Sequence, residues 1–211
     1  MAPRHSWYGP LKRTADVVFA SLALVVLSPV LLLLALLVYF DLGSPVIFRQ
    51  VRPGRGAAPF TLFKFRTMAI TDVRGVEAVS SDDARTSRFG HLLRRTSLDE
   101  LPELVNILRG DMSVVGPRPM LVEYVPLFSV EQARRHEVRP GLTGLAQVKG
   151  RYSLSWEERF AADVEYVDRC SPWLDIEILA KTVLVLASKR GAHSDADAAL
   201  EPFRGSARPG E

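Results

Sequence analysis

The sequence predicts a mostly helical α+β protein with one apolar helix near its N-terminus. A run from Val17 to Phe40 contains no charged residue. Two short apolar stretches, 46–48 and 60–66, flank a basic segment that contains glycine and proline, which is the pattern of a small β-hairpin. After residue 85, apolar residues recur every three or four positions in several segments, which predicts helices.

The charge-free run is long enough to cross the hydrocarbon core of a membrane as a helix. Ser28-Pro29 lies near its middle. Proline cannot donate a hydrogen bond to the carbonyl of Val25 and clashes with it, so a kink is expected at this point. The Ser28 hydroxyl could bond the carbonyl that is freed.

Basic residues lie on both sides of this run, whereas a simple membrane span has them mainly on one side. They are Arg4, Lys12, Arg13, Arg49, Arg52 and Arg55. Two interpretations stay open from these residues alone. A re-entrant helix would enter the membrane, break at Pro29 and return to the same face, whereas a single-pass helix would tolerate the proline.

The hairpin is predicted to have strands at 46–48 and 60–66 and a loop over 49–58. Alternation along the second strand places Lys64 and Arg66 on one face. These two cations could bind phosphate, or they could form an ordinary solvated strand face.

Two adjacent carboxylates, Asp99 and Glu100, lie at the predicted start of a helix that ends at Gly110. Pro102 suits the first turn of that helix. Free N–H groups and the helix dipole favour anions there, and a carboxylate in a cationic setting can be a nucleophile or a metal ligand. The alternative is a structural capping box, with Ser97 as the cap and Glu100 reaching back, which is the more common use of this local pattern.

Two stretches downstream also suggest ligand contacts. Arg118 lies between Pro117 and Pro119, so it is held on a stiff, extended segment that lowers the entropic cost of placing its guanidinium on a phosphate or a base. A structural turn is the alternative. The segment 139–151 contains three glycines and three cations, which predicts a loop whose backbone approaches a ligand.

The remaining segments complete a division of the chain into three parts. Helices are predicted at about 86–95, 121–137, 155–169 and 173–189. The last could lie in a membrane interface or pack into the core. We therefore expect an N-terminal segment with the membrane helix at 1–44, a folded domain at 45–190 and a disordered tail at 191–211.

Composition excludes several classes of site. Cys170 is the single cysteine, so neither an intramolecular disulfide nor a thiolate metal cluster is expected. The four histidines lack ligand spacing, which argues against zinc. The net charge of +3 suits phosphates or an anionic membrane surface without choosing between them. No stacking platform accompanies the basic loops, so no nucleic-acid partner is expected.

Taken in order, these motifs make the chain from about Lys12 to Lys189 resemble the bacterial sugar transferase family, the small monotopic phosphoglycosyl transferases. The motifs are Lys12-Arg13-Thr14-Ala15-Asp16, Ser28-Pro29, Phe63-Lys64-Phe65-Arg66-Thr67-Met68, Thr96-Ser97-Leu98-Asp99-Glu100-Leu101-Pro102, Gly116-Pro117-Arg118-Pro119 and Arg139-Pro140-Gly141-Leu142-Thr143-Gly144. As a set they are specific, and they make the capping interpretation of Asp99 and Glu100 the minor one.

The resemblance implies transfer of a sugar-1-phosphate from a UDP-sugar to undecaprenyl phosphate, with Mg²⁺ and with release of UMP, as the first membrane step of surface glycan synthesis. It implies that Asp99 is the nucleophile and holds a covalent phosphosugar, and that Glu100 binds Mg²⁺. It also implies that Arg94, Arg118 and Arg151 contact phosphates or the nucleotide.

The family further implies that Pro117, Arg118 and Pro119 contact the nucleotide. It favours the re-entrant helix kinked at Ser28-Pro29, interfacial amphipathic helices around the active site, and a monotopic enzyme at the cytoplasmic face of the bacterial inner membrane. The domain at 45–190 would then be a cytoplasmic catalytic domain in contact with membrane lipids.

Some questions stay open at this point. Glu103 stands where the family commonly has glutamine, and whether it contacts the metal is not decided by the sequence. Neither the sugar nor the pathway is identified, although 69–81 and 150–159 are candidate specificity segments, and a homo-oligomer is compatible with the sequence. The rival functions are a non-catalytic membrane-anchored scaffold and a conventional glycosyl transferase, which would release UDP instead of UMP.

Overall fold

The longest element is an N-terminal helix, α1 (Tyr8–Leu42), and the other described elements are much shorter. The computed structural model describes residues 8–69, 85–150, 154–187 and 202–205. The further helices are α2 (Arg88–Thr96), α3 (Glu103–Arg109), α4 (Val130–Ala133), α5 (Leu145–Lys149), α6 (Trp156–Arg169) and α7 (Pro172–Ala187). The strands are β1 (Ile47–Pro53), β2 (Pro59–Phe65), β3 (Ser113–Val115) and β4 (Gly141–Thr143), and 3₁₀ turns occur at Arg55–Ala57, Leu98–Glu100, Val122–Leu127 and Arg134–Glu137.

The helix α1 is apolar and mostly exposed, and its length and composition suit a membrane helix. It runs without interruption through Pro29. The Ser28 hydroxyl donates to the carbonyl of Val25 at 2.8 Å, which is the bond predicted for the carbonyl that Pro29 frees. The continuous helix does not confirm a re-entrant break at Ser28-Pro29, which stays a prediction.

Polar contacts bind the N-terminal part of α1 to the folded domain. Arg13 donates to the carbonyls of Ile107 and Leu108 in the last turn of α3, at 2.5 and 2.8 Å. The buried Asp16 accepts from the backbone N–H of Val114 in β3 at 3.0 Å. Charged residues of α1 therefore satisfy backbone groups that α3 and β3 leave unpaired.

A second buried carboxylate, Asp175 in α7, joins this end of α1 to the C-terminal helices. It accepts from the hydroxyl of Tyr8 at 2.5 Å and forms an ion pair with Lys12. Its other oxygen accepts from Tyr166 in α6 at 2.8 Å. One side chain thus links α1, α6 and α7.

The C-terminal end of α1 is also bound to the domain. The buried Arg66, directly after β2, donates to the carbonyls of Leu42, Gly43 and Ser44, where the helix has ended. The apolar cluster beside this contact contains Leu34, Val38, Phe65 and Leu93. Both ends of α1 therefore contact the same folded domain.

The strands β1 and β2 form the predicted antiparallel hairpin. The loop predicted over 49–58 is wrong in its first half, because β1 continues to Pro53 and the chain reverses only over 54–58. Basic residues such as the exposed Arg49 do not interrupt a strand whose backbone groups pair across the hairpin while the side chains face solvent.

A second, parallel pair of strands, β3 and β4, was not predicted, because strands of three residues carry no alternation signal. Glycines allow the two chains to meet. A Cβ atom on Gly116 would lie 2.4 Å from the carbonyl oxygen of Arg139, and one on Gly141 would lie 2.1 Å from the nitrogen of Gly116. The loop predicted over 139–151 is therefore wrong for 141–143 and 145–149, which form β4 and α5, and Gly141 faces the backbone of Gly116.

Three short helical segments replace the single helix predicted for 121–137. Pro126 lies inside the first of them and has no N–H to continue a helical ladder. Ser129 then starts α4 through a capping box with Gln132.

The described elements share one main core and an aromatic cluster at its side. Core residues from α1, α3, the residue before β3, β3 itself and the C-terminal helices are Ala20, Leu104, Ile107, Met112, Val115, Tyr166 and Ile178. The aromatic cluster consists of Tyr124, Phe128, Trp156, Phe160 and Phe203.

Phe203 belongs to the part predicted as a disordered tail, 191–211, of which the structure describes 202–205. Its side chain is 4% exposed, and its ring lies edge-on to Phe160 with centroids 5.0 Å apart. The tail prediction therefore fails at Phe203, and most of the remaining tail lies outside the described residues.

The buried bond between α1 and β3 generates a stability prediction. Replacing Asp16 by alanine leaves the N–H of Val114 without its acceptor, and we expect a loss of about 1–3 kcal/mol in unfolding free energy. Asp16→Asn keeps an acceptor oxygen and should lose clearly less. Thermal unfolding of both variants in lipid nanodiscs measures the difference, and Thr14→Ala, at an exposed position of the same helix, is the matched control. Equal stability of Asp16→Ala and the unaltered chain would contradict the assignment.

Candidate active site

The two adjacent carboxylates lie on the 3₁₀ turn Leu98–Glu100, between the end of α2 and the start of α3. Ser97 adopts the left-handed conformation, with φ of 55°, and so reverses the chain after α2. Its side chain makes no capping bond to the turn, so the capping-box interpretation is not supported. The turn instead places Asp99, which is 8% exposed, beside Glu100 in a buried site.

Two cations from distant parts of the chain converge on Glu100. Lys64 of β2 lies 2.7 Å from Glu100 Oε1, and the Arg118 guanidinium lies 2.5 Å from the same oxygen. Lys64 also lies 3.1 Å from Glu103 Oε1. Asp99, by contrast, forms no ion pair with any residue in the described part of the chain. The predicted site residues Lys64, Glu100 and Arg118 are thus brought together.

These surroundings move the pKa values of the two neighbouring carboxyls in opposite directions. Burial, followed by the charge of Glu100, raises the pKa of Asp99 to about 6. Burial also acts to raise the pKa of Glu100, but the attraction of Arg118 and Lys64 outweighs it and lowers that pKa well below its usual range. Two carboxyls with separated pKa values, one of them ion-paired, are typical of acid–base or nucleophilic sites.

Glu103 contributes a third carboxyl on α3. It is 2% exposed, and burial raises its pKa to about 7 even though Lys64 opposes this shift. The carboxylate of Glu103 contacts Lys64. Because Lys64 bridges Glu100 and Glu103, it is positioned from two sides.

The other predicted site residues differ in where they lie. Arg94 at the end of α2 donates to the hydroxyl of Thr67 at 3.0 Å, and its charge acts to lower the pKa of Asp99, so it lies with the dyad. Arg66 does not join this group, because its guanidinium is bonded to carbonyls at the end of α1. Arg151 lies outside the described residues.

Pro117 and Pro119 fix the φ angles on either side of Arg118, and a backbone hydrogen bond restrains the same segment. The carbonyl of Pro117 accepts from the N–H of Gly141 at 2.9 Å. The Arg118 side chain remains 36% exposed while it contacts Glu100, so a ligand can reach the guanidinium.

Asn106 is a site-forming residue that the sequence analysis missed. It lies in α3, fully buried, and its side chain accepts from the N–H of Phe63 at 3.0 Å and donates to the carbonyl of Thr61 at 2.7 Å. These bonds attach β2 to α3 and place Lys64 opposite the dyad. The available signal was a lone amide between Val105 and Ile107 in an apolar helix.

Few protein side chains in the described part of the site are available as ligands for a divalent cation. Among residues 8–69, 85–150, 154–187 and 202–205, no three acidic, histidine or cysteine side chains are arranged to hold a metal ion. Mg²⁺ usually binds through one or two carboxylates together with substrate phosphates and water. A single ionised Glu100 beside the partly exposed Arg118 guanidinium fits that mode.

Comparison with known proteins agrees with the family resemblance of the motifs. The family model described as bacterial sugar transferase matches residues 7–189. This chain belongs to the bacterial sugar transferase family. The carboxylate pair, Lys64, Arg94 and the 117–119 segment all lie inside the matched range, and family membership makes the protein a transferase.

Three relatives show how far the similarity extends. The uncharacterized sugar transferase EpsL of Bacillus subtilis (strain 168) is 47% identical over 197 residues, which cover 93% of this chain and 96% of that protein. A UDP-glucose:undecaprenyl-phosphate glucose-1-phosphate transferase of Caulobacter vibrioides is 42% identical over 191 residues, covering 86% of this chain and 72% of that protein. The exopolysaccharide production protein ExoY of Rhizobium meliloti is 38% identical over 202 residues, covering 88% and 89%.

The opposite pKa shifts of the dyad predict opposite effects on stability. Folding raises the pKa of the Asp99 carboxyl from 3.8 to about 6, so the folded protein binds this proton more tightly than the unfolded chain does. The stability that the protonated carboxyl contributes is complete below pH 3.8 and is lost as the pH rises through about 6. At pH 7.5 Asp99→Asn should therefore stabilise the protein, by up to about 3 kcal/mol.

Glu100→Gln should destabilise the protein at pH 7.5, because Glu100 has a lowered pKa and its ionised form is held by two cations. Thermal unfolding of both variants in nanodiscs at pH 7.5 and pH 5 checks the pair. The gain from Asp99→Asn should shrink at pH 5. A loss of stability in Asp99→Asn at pH 7.5 would instead assign Asp99 a structural role.

Proposed function

We propose that the chain transfers a sugar-1-phosphate from a UDP-sugar to undecaprenyl phosphate, with release of UMP, through a covalent intermediate on Asp99. The observation that carries the proposal is a buried carboxylate without an ion pair among the described residues, next to a carboxylate held by two cations. The relative from Caulobacter vibrioides is named for this reaction with UDP-glucose.

In the first step, an Asp99 carboxylate oxygen attacks the phosphorus that carries the sugar. A phosphorus–oxygen bond to Asp99 forms, the diphosphate bond breaks, and UMP leaves with the bridging oxygen. In the second step, an oxygen of undecaprenyl phosphate attacks the same phosphorus, the bond to Asp99 breaks, and the carboxylate is restored. The covalent intermediate means that two anionic substrates need not meet.

The environment of Asp99 suits this role. A pKa of about 6 leaves the carboxylate ionised at neutral pH while making it more basic than an ordinary aspartate. Glu100, which stays ionised, keeps Lys64 and Arg118 beside the turn, where both cations can bind the phosphates. Arg94 adds a third cation from α2.

We propose that Glu100 holds Mg²⁺, in the mode shared with substrate phosphates. When bound, this ion offsets negative charge on the diphosphate. Glu100 would then share its carboxylate between the ion and its contacts with Lys64 and Arg118, and both cations would lie close enough to bind the phosphates. Glu103 would retain Lys64 near the turn during this exchange.

We also propose the re-entrant, monotopic arrangement at the cytoplasmic face of the inner membrane. The contacts of both ends of α1 with one domain support it, because the two ends of a single-pass helix lie on opposite sides of a core about 30 Å thick. The helix α7 fits an interfacial position, since its exposed apolar residues are Trp173, Ile176, Val183, Leu184 and Leu186. Asp99 would then lie near the depth of a lipid phosphate.

Intact mass spectrometry tests the covalent step. The protein is incubated with individual UDP-sugars and Mg²⁺ without a lipid acceptor, and we expect a mass gain of one sugar-phosphate together with released UMP. Asp99→Asn should show no gain, while Asp168→Asn, an exposed aspartate of α6, should behave like the unaltered chain. No adduct with any donor, combined with full turnover once polyprenyl phosphate is added, would assign direct transfer. Release of UDP would assign a conventional glycosyl transferase.

The pH dependence of adduct formation tests the assignment to Asp99. Because the raised pKa leaves Asp99 increasingly protonated below pH 6, the rate should fall about tenfold per pH unit there. Rates of a single turnover from pH 4.5 to 8.5 measure this profile. The inflection should persist in Glu103→Gln, and its disappearance in that variant would assign the titration to Glu103.

A further inference from the structure

Residues 117–119, which we call the Arg118 segment, have few backbone hydrogen-bond donors. Pro117 and Pro119 have no N–H, so this stretch cannot join a regular hydrogen-bond ladder. The stretch must nevertheless be rigid, because the partly exposed Arg118 guanidinium has to be aimed at Glu100 and at the phosphates of the proposed function.

Three donors from different elements hold the three successive carbonyls of this segment. The N–H of Gly141 bonds the carbonyl of Pro117 at 2.9 Å. The Arg135 guanidinium bonds the carbonyl of Arg118 at 2.7 Å, and the Arg52 guanidinium bonds the carbonyl of Pro119 at 3.3 Å. Two of these three donors, Arg135 and Arg52, are charged side chains, and neither has a hydrogen bond or ion pair to Asp99 or Glu100 among the described residues.

Arg135 is itself held by Asp163 of α6. Its Nε and Nη2 atoms lie 3.0 and 2.7 Å from Asp163 Oδ2, and the two side chains are 1% and 3% exposed. The rings of Phe128 and Phe160 lie 5.5 and 5.4 Å from the guanidinium carbon. Since a single guanidinium bonds both Asp163 and the Arg118 carbonyl, α6 is connected to the site through Arg135.

Stability alone does not account for this pair. Taking both charges out of water is costly, and an apolar pair of the same size is often as stable or more stable. The Nη1 atom of Arg135 is buried and has no hydrogen-bond partner in the part of the chain that the structure describes. A guanidinium is nevertheless the side chain that can bond a carboxylate and a carbonyl together.

The position of Arg52 is also electrostatically unfavourable for its charged side chain. Burial, followed by the nearby charge of Arg118, lowers the pKa of Arg52 to about 10. Its Nε and Nη2 atoms are bonded to the side chain of Gln50 at 3.1 and 2.6 Å, which fixes the guanidinium on β1. The positive charges of Arg52 and Arg118 are thus held close together, and Arg52 contacts the segment through a backbone carbonyl.

We propose that Arg52 and the Arg135–Asp163 pair are positioning residues that aim Arg118 at the dyad and at the donor diphosphate. They act through the carbonyls of Arg118 and Pro119 and touch no reacting atom. The inference rests on the proposed function for its kinetic consequences, but the rigidity of the segment is a property of the protein alone.

The test compares two neighbouring ion pairs that join the same elements. Arg135→Met/Asp163→Leu removes the buried pair and keeps apolar packing. Arg134→Met/Asp168→Leu removes the adjacent exposed pair, which does not contact the Arg118 segment. Arg52→Gln, on the other side of the segment, provides an independent variant if the buried replacement does not fold.

Hydrogen exchange of the full chain in nanodiscs gives the first readout. Peptides covering 112–121 should exchange faster in Arg135→Met/Asp163→Leu and in Arg52→Gln, and at the unaltered rate in the exposed-pair control. Unchanged exchange of 112–121 in both positioning variants overturns the proposal. This readout does not depend on transferase activity.

A double-mutant cycle with Arg118→Ala gives the second readout. In the unaltered background, loss of the buried pair should lower kcat/KM for the UDP-sugar about 10- to 100-fold, because misplacement of a substrate-binding group by about 1 Å has effects of that size. In the Arg118→Ala background the same change should lower it less than about twofold, since the aimed group is gone.

An equal loss in both backgrounds would mean that the pair supports the fold in general, and it overturns the proposal. If the unaltered chain shows no turnover with any UDP-sugar, the proposed function fails, and the exchange experiment still decides whether these residues position Arg118.

Discussion

Two cations from distant parts of the chain meet on the carboxylate of Glu100, and the geometry of the site depends on this contact. Lys64 arrives from the hairpin and Arg118 from the segment after β3. Each is anchored behind the contact: the hairpin by Asn106 of α3, and the Arg118 segment by backbone bonds to neighbouring elements. The ion pairs therefore join three separately supported parts of the fold at one oxygen atom.

The same contact separates the chemistry of two neighbouring residues. Lys64 and Arg118 stabilise the charge of Glu100, whereas Asp99 lies buried next to that charge and is not ion-paired among the described residues. Adjacent residues on one turn thus acquire different proton affinities, because the protein supplies its cations to one side of the turn. A turn with equally shared cations would leave two similar, weakly basic carboxylates.

The sequence allowed prediction of features that depend on local pattern. The apolar helix, the hairpin, the carboxylate pair and the Gly110 helix end all follow from spacing and residue type. The parallel pair β3 and β4 could not be predicted, because it depends on close contact between Gly116 and Gly141, which lie far apart in the sequence.

Long-range polar contacts explain the rest of the difference. Alternation predicted that Lys64 and Arg66 share one strand face, but it could not show that β2 ends between them and that Arg66 turns to the end of α1. Asn106 and Arg135 were missed for the same reason: their partners are fixed by tertiary packing, and a buried amide or guanidinium has no local signature that names its partner.

Phe203 lies beyond residue 189, where the match to the family model ends, yet its ring packs on Phe128 and Phe160, which also cover Arg135. The unit defined by family similarity and the unit defined by packing therefore have different ends. A chimera that joins this domain to a relative at residue 189 would remove Phe203, which packs on the two rings that cover the buried Arg135 guanidinium. Exchange of this domain with that of a relative therefore has to keep Phe203 together with the rings it packs on.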